Sequence, residues 1–367
     1  MKICIVAGAR PNFVKVAPLI RAIEKTDGAD YQLVYAGRED DPTLEDSLFD
    51  DLQMPRPSVF LGVDSVSLNE ITARVMAEFD ALLTRQPVDV VIVVDDLAST
   101  MAAAIVTKKR GIRLAHLVAG TRSFDMNMPK EVNRLVIDAL SDYLFTAGVK
   151  SNSVATREQG DADNTYLVGN ILMDTLRYNY QRFRKPQIDV EPGKYLVFTL
   201  NRKALMADEE KLAQLLRAMV EATDGLPIIA PLRGKAYEIV ESINNNLKSQ
   251  TSNLKSQTSN LKSQISIHKS LSYLEFGWLT SQARGIITDS GNVAEEATFN
   301  HVPCITLNSY TEHQETVTIG SNVLVGEDPQ KLREALALMV AGKWKESALP
   351  DRWDGRTAER IVSILLK

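Results

Sequence analysis

The sequence predicts an α/β protein of about two domains with parallel sheets, and three observations carry that expectation. Short runs rich in Val and Ile alternate with amphipathic stretches along the chain, the pattern of βαβ units. Several runs are apolar on both faces, as strands covered by helices on each side require. The length of 367 residues exceeds one ordinary core and fits two domains of about 150 to 200 residues.

The first series places strands near 2–7, 31–37, 59–61, 89–95, 113–119, 143–147 and 165–168, separated by helices such as 13–25, 67–85 and 129–141. The second places strands near 195–200, 227–231, 264–268, 285–289, 303–307 and 322–325. A helix opening at Asn170 runs toward Phe183 and stops before Lys185-Pro186, and a loop with Pro192-Gly193 follows. This break sets an N-terminal domain over 1–184 and a C-terminal domain over 185–352. The last helix, within about 353–367, gathers Ile361, Val362, Ile364 and Leu365, so it must pack on a neighbour, for which a return to the first domain is one solution.

Residues 246–266 stand apart, because Asn-Leu-Lys-Ser-Gln-Thr-Ser recurs at Asn246, Asn253 and, with Ile265 for Thr, at Asn260. One strongly apolar residue per heptad (Leu247, Leu254, Leu261) is too thin a stripe for a coiled coil. The segment reads as a low-complexity insertion extending a surface helix or loop.

Composition narrows the function. A 44% hydrophobic, 24% charged chain with formal net charge −5 has the profile of a soluble globular protein and argues against a general nucleic-acid binder. A local basic groove for a diphosphate stays open. Cys4 and Cys304 both lie in apolar runs and are expected in the core. The apolar run at the N-terminus is too short for a signal peptide, and no stretch reaches about 18 uncharged apolar residues, so the expected location is the cytoplasm, with no membrane partner.

The most informative stretch is Gly285 to Ala297, where an apolar strand runs into Asp289-Ser290-Gly291-Asn292 and then a helix. Small residues let a backbone approach an anion, and the helix's first amides and dipole point at it. Glu296, a turn on, suits ribose hydroxyls. An ordinary N-capped helix has the same letters. The first strand–helix junction, Ile5 to Lys15, adds Gly8 for a tight turn and the cations Arg10 and Lys15 beside a helix N-terminus, features shared by a diphosphate site and a solvated basic turn.

Taken in order, the motifs resemble the non-hydrolysing UDP-N-acetylglucosamine 2-epimerase family. Gly8 to Lys15 is similar to G-T-R-P-E-x-x-K, with Ala9 for Thr and Asn12 for Glu; Val94 to Thr100 to V-x-G-D-T-x-S/T; His116 to Ser123 to H-V-E-A-G-L-R-S. Pro129 to Arg134 resembles P-E-E-x-N-R, Val168-Gly169-Asn170 resembles T-G-N, Thr288 to Ala297 resembles T-D-S-G-G-x-Q-E-E-A, and Thr311 to Glu315 stands where the family has T-E-R-P-E. The match spans almost the whole chain except the heptad insertion.

The resemblance implies two Rossmann-like domains facing a central cleft, a GT-B-like arrangement, with a UDP-sugar, UDP-GlcNAc by family, as partner. It implies no cofactor, and relatives commonly form homodimers. It assigns Ser290 and Gly291 to the diphosphate, Glu296 to ribose and Phe276 to uracil, with Arg10, Lys15, Arg134, Asn292 and His313 as further candidate substrate contacts. The family reaction interconverts UDP-GlcNAc and UDP-ManNAc by removing the proton at sugar carbon 2 as UDP departs, then returning UDP after protonation of the opposite face. Such chemistry needs acids and bases on both faces of carbon 2.

The family supplies carboxylates at the positions of Asp96, Val118 and Lys130 and a histidine at that of Asn201; here only Asp96 remains. Glu131, one residue along, is the obvious substitute, so the catalytic candidates are Asp96 and Glu131. Epimerisation is expected to be impaired, making the chain a pseudoenzyme candidate. The alternatives are a non-catalytic UDP-sugar-binding or structural relative, and a UDP-sugar hydrolase or glycosyltransferase using the same cleft. His116 reads as a satisfied core residue, His313 replaces a family arginine, and no His, Cys, Asp and Glu spacing suggests a metal site. Ala36-Gly37-Arg38-Glu39 replaces the family's T-G-Q-H, so a regulatory second UDP-GlcNAc is not expected.

Overall fold

The computed structural model describes residues 1–160, 162–253 and 265–367, which form two compact units, Met1–Asn179 with Asp351–Lys367, and Tyr180–Pro350. The first unit holds a seven-stranded parallel sheet of β1 (Lys2–Ala7), β2 (Asp30–Tyr35), β3 (Val59–Phe60), β4 (Val90–Val94), β5 (Arg113–Ala119), β6 (Tyr143–Thr146) and β7 (Thr165–Leu167). The strands lie side by side in the order β3-β2-β1-β4-β5-β6-β7. Val90 to Val94 are fully buried because helices cover both faces of the sheet. On one face Cys4, Val6, Val91 and Val93 pack with Phe79 and Leu82 of the helix Leu68–Arg85 and with Ala102, Ala103 and Ala104 of the helix Ala98–Lys109.

The winding reverses between β1 and β4. Carboxyl ends of strands at such a reversal leave a crevice that ligands use, and Gly8–Arg10 and Asp95–Leu97 follow these two strand ends.

The first helix, Arg10–Glu24, starts three residues earlier than its apolar periodicity indicates, because Pro11 suits a first turn and Asn12 caps it. Pro18 lies inside this helix. It has no amide to give to Val14, and the Thr175 hydroxyl donates to the Val14 carbonyl instead, at 2.6 Å. The helix Thr357–Leu365 contacts Arg10–Glu24 and Ile171–Asn179 and buries Ala358, Ile361, Val362 and Leu365. Its first amides, of Thr357 and Ala358, donate to the buried Asp174 carboxylate at 3.1 and 2.8 Å, and the Trp353 indole donates to the Ala147 carbonyl at 3.1 Å.

The second unit holds six parallel strands, β8 (Leu196–Phe198), β9 (Ile228–Leu232), β10 (Ile265–Lys269), β11 (Gly285–Thr288), β12 (Cys304–Thr306) and β13 (Asn322–Leu324), in the order β10-β9-β8-β11-β12-β13. Here the reversal lies between β8 and β11. Leu196, Phe198, Ile228, Ile287 and Ile305 pack with Leu212, Leu215, Leu336 and Met339. The helix Gly234–Asn253 runs into the start of the heptad repeat, and Leu247 packs against this core. Leu254 and Leu261 lie outside the described residues. Cys4 and Cys304 are buried and free, and no helix among the described residues is long and apolar enough to cross a membrane.

Candidate functional site

In the second unit, β11 delivers the chain to Ser290, the N-cap of the helix Gly291–Phe299, in extended conformation. The Ser290 hydroxyl makes no capping bond, and the first turn contains no acidic residue. A Cβ built on Gly291 would meet only the His313 ring, at an ordinary contact distance of 3.8 Å, so no other side chain crowds this glycine. The His313 Nδ1 lies 3.2 Å from a carboxylate oxygen of buried Glu295.

Neighbouring contacts stiffen the junction. Thr199 and Thr288 share a hydroxyl–hydroxyl bond of 2.7 Å between β8 and β11, and the Ser290 amide donates to the Thr288 hydroxyl at 3.0 Å. The amides of Asn201 and Arg202 both donate to one oxygen of Asp289, at 2.7 and 2.6 Å, which brings the loop after β8 to the junction. Burial pushes the Asp289 carboxyl upward, and these amides oppose it without cancelling it.

Glu296 is buried, and its carboxyl is pushed up to about 8, first by burial and then by the charge of Glu295. Phe276 packs against a core cluster that includes Val293, Ala294 and Ala297 of the same helix. Ser290, Gly291, Asn292, Glu296, His313 and Phe276 therefore converge around one helix.

The raised Glu296 carboxyl has a consequence for stability. Between its ordinary value near 4.5 and about 8 the folded chain holds a proton that the unfolded chain has released, so stability falls as pH rises through that window. Glu296→Gln removes the titration. Its melting temperature relative to the unaltered chain is expected to climb by several degrees from pH 4.5 to pH 8.5; a difference that stays flat across the range in calorimetry contradicts the assignment.

In the first unit, the helix Pro129–Leu140 carries Lys130, Glu131, Asn133 and Arg134 to the end of β4. Arg134 grips one oxygen of Asp96 through Nε at 2.8 Å and Nη2 at 2.5 Å, and Lys130 lies 3.3 Å from the other. Burial alone would push the Asp96 carboxyl up, but Lys130 and Arg134 together outweigh it and hold it below the ordinary carboxylate value. Asp96 is an anion fixed between cations.

Glu131 is 1% exposed and accepts from the Ser123 amide (2.8 Å) and hydroxyl (2.9 Å), the Phe124 amide (3.0 Å) and Arg134 Nη1 (3.1 Å). Burial pushes it up, and these donors outweigh burial, so its value is lowered. Both candidate carboxylates thus meet on Arg134, and Glu131 also anchors the Ser123-Phe124 turn.

Val118 stands at a break in register between β5 and β6, a bulge at Leu117/Ala119, with φ of 74°. Left-handed backbone is unusual for a β-branched residue, and bulges serve to re-aim side chains. His116 is 1% exposed and fully bonded, with Nδ1 2.5 Å from Asp138 and Nε2 3.0 Å from the Asp95 carbonyl, which is the satisfied core role expected of it. Asp138 also takes the Gly120 amide at 3.0 Å and Arg122 at 2.7 Å, fixing the turn after β5.

Arg10 sits half-buried at the first turn of its helix, while Lys15 is buried and lies 2.5 Å from Asp95. Asp95 was not among the residues singled out from sequence. The signal was present: with Asp96 as the aspartate of V-x-G-D, Asp95 falls on that motif's glycine, and it takes a φ of 60° that suits glycine. Among the described residues no group of three or more His, Cys, Asp or Glu is arranged to hold a metal ion.

A family model described as UDP-N-acetylglucosamine 2-epimerase matches residues 21–366. The UDP-N-acetylglucosamine 2-epimerase of Methanocaldococcus jannaschii is 34% identical over 378 residues, covering 100% of this chain and 99% of the relative. The crystal structure of that epimerase in complex with UDP-GlcNAc and UDP has a TM-score of 0.84 at 32% identity, covering 100% of this chain and 99% of its own. The UDP-2,3-diacetamido-2,3-dideoxy-D-glucuronate 2-epimerase of Pseudomonas aeruginosa is 29% identical over 370 residues, covering 100% of both. A lipopolysaccharide outer core galactosyltransferase shares the fold alone, with a TM-score of 0.55 at 14% identity over 98% of this chain and 95% of its own.

Proposed function

Because the chain belongs to the UDP-N-acetylglucosamine 2-epimerase family, we propose that it binds a UDP-sugar, UDP-GlcNAc foremost, and carries out the family's epimerisation weakly or not at all. The diphosphate lies on the first amides of the helix Gly291–Phe299, with Ser290 and Asn292 beside it and His313 above it. Glu296 receives the ribose hydroxyls and Phe276 flanks the uracil. Arg10, Lys15 and Arg134 are the cations of the first unit assigned to substrate. A cytoplasmic location and a homodimer belong to the same proposal, on the family likeness.

The observation that carries the binding half is the helix start at Ser290-Gly291, uncrowded at Gly291, with no acid in its first turn and no side-chain cap. The impairment half is supported by Lys130, which lies as a cation against Asp96 where the family has a further carboxylate. Asn201 has no proton to exchange near neutrality. Hydrolysis or glycosyl transfer with Asp96 or Glu131 as base gains nothing from the geometry, since both are held below the ordinary carboxylate value. A non-catalytic UDP-sugar binder is the second reading, and the same Lys130–Asp96 contact favours it.

Ser290→Asp tests the nucleotide assignment. A carboxylate set at the helix start repels a diphosphate, and UDP affinity measured by calorimetry is expected to drop about tenfold or more. Equal affinity in the variant, or no binding of UDP to the unaltered chain at millimolar concentration, removes the assignment.

A further inference from the structure

Two further departures of the first unit from the family motifs are bonded to each other. Asn12 stands where G-T-R-P-E has glutamate, and Asp95, preceding the Asp96 that supplies the aspartate of V-x-G-D, stands where that motif has glycine. The Asn12 side-chain amide donates to one oxygen of Asp95 at 2.7 Å, while Lys15 meets the other at 2.5 Å. The side-chain oxygen of Asn12 in turn receives the amides of Gly8 and Ala9, at 2.9 and 3.1 Å. A glutamate at position 12 would set a second negative charge against Asp95, so each substitution makes sense of the other.

We propose that Asp95 is a tethered anion. Its carboxylate fills the anion position of the first strand–helix junction, and Asn12 is its matched partner. The junction has the makings of an anion site: a strand reversal, a helix of 15 residues whose first turn has no acid, and a buried lysine. In this chain Lys15 and the Asn12 side-chain amide face a carboxylate of the protein itself, and the Gly8 and Ala9 amides are taken by the Asn12 side-chain oxygen. The Lys15 and Asp95 side chains are 7% and 19% exposed, so water screens their attraction little. Any phosphate bound at this junction must displace Asp95 from Lys15. That the displaced anion is a diphosphate rests on the nucleotide-sugar reading above; the tethered carboxylate itself rests only on this geometry.

The test uses the full chain with Asp95→Asn, which keeps a residue tolerant of left-handed backbone, and Asp95→Gly, which restores the motif. Inorganic pyrophosphate and UDP are the probes, by calorimetry, with thermal melts to confirm folding. Both variants are expected to bind pyrophosphate about tenfold or more tighter than the unaltered chain, a gain that Lys15→Met erases. Lys15 is also expected to acylate faster with an amine-directed reagent in Asp95→Asn, read by mass spectrometry without any ligand. Unchanged affinity together with unchanged acylation overturns the proposal, and so does a gain that survives Lys15→Met. If UDP binds normally and the Asp95 variants match the unaltered chain, the tethered anion alone falls. If no variant binds UDP, the nucleotide reading falls, and Lys15 acylation still decides Asp95.

Discussion

Restoring three side chains together, as Val118→Glu, Lys130→Glu and Asn201→His, is expected to raise formation of UDP-ManNAc from UDP-GlcNAc by at least about a thousandfold, since each acid–base group typically contributes about 100-fold to 10,000-fold. The estimate sits at the low end because such groups act as a unit and their effects do not multiply. Each change is compatible with its surroundings. Val118 already sits on a bulge with φ of 74°, where an unbranched Cβ is less strained than valine. Lys130 is half exposed, so its replacement by glutamate buries no new charge; it removes one of the two cations on Asp96, and Arg134 remains as the other. The contact of residue 201 with Asp289 runs through the backbone amide and survives substitution. Proton NMR of the sugar anomeric region follows the reaction; an unaltered chain that already matches the triple variant would sink the claim of impairment.

Glu131→Ala is expected to lower the stability of the first unit by about 3 to 5 kcal/mol, the usual result of removing one partner from a buried, hydrogen-bonded ion pair. It strips the acceptor from two amides, one hydroxyl and Arg134 at once. Phe124 holds a φ of 60° in the turn that Glu131 anchors, so this turn should loosen first. Unfolding of a two-unit chain is not one transition, so the probe must belong to the first unit. Trp353 does, and it is 2% exposed; with Trp278 and Trp344 replaced by Phe, its fluorescence against urea isolates the effect. A loss within about 0.5 kcal/mol, as for an ordinary surface change, would mean that Glu131 does not hold the turn.

The fold was legible because a parallel sheet writes itself into local pattern: every expected strand, from Lys2–Ala7 to Asn322–Leu324, is a strand in the structure. Boundaries slipped where single residues decide them, as when Pro11 and Asn12 start the first helix at Arg10. The loop around Ser290 was legible too, since a glycine after a strand and before a helix has few uses. What periodicity does not encode is who bonds to whom across the sequence. Glu131 looks like a spare base until Ser123 and Phe124 are seen to occupy it, and Asp95 looks like one more acid until Lys15, 80 residues earlier, closes on it. The left-handed backbone of Val118 was equally hidden, because valine is a poor advertisement for it.

The placement of Asp351–Lys367 in the first unit bears on how the chain is made. The second unit is continuous in sequence from Tyr180 to Pro350 and has all its strands in hand once that stretch has been synthesised. The first unit has all its strands by Leu167 but not its last helix. Its helix Arg10–Glu24 waits for Thr357–Leu365, and Asp174 waits for the amides of Thr357 and Ala358, until the whole of the second unit has been translated. The half of the molecule that begins first is thus finished second, and a growing chain must carry a first unit whose sheet has all its strands but whose last helix is missing, with the apolar faces of two helices uncovered, through the birth of the other unit.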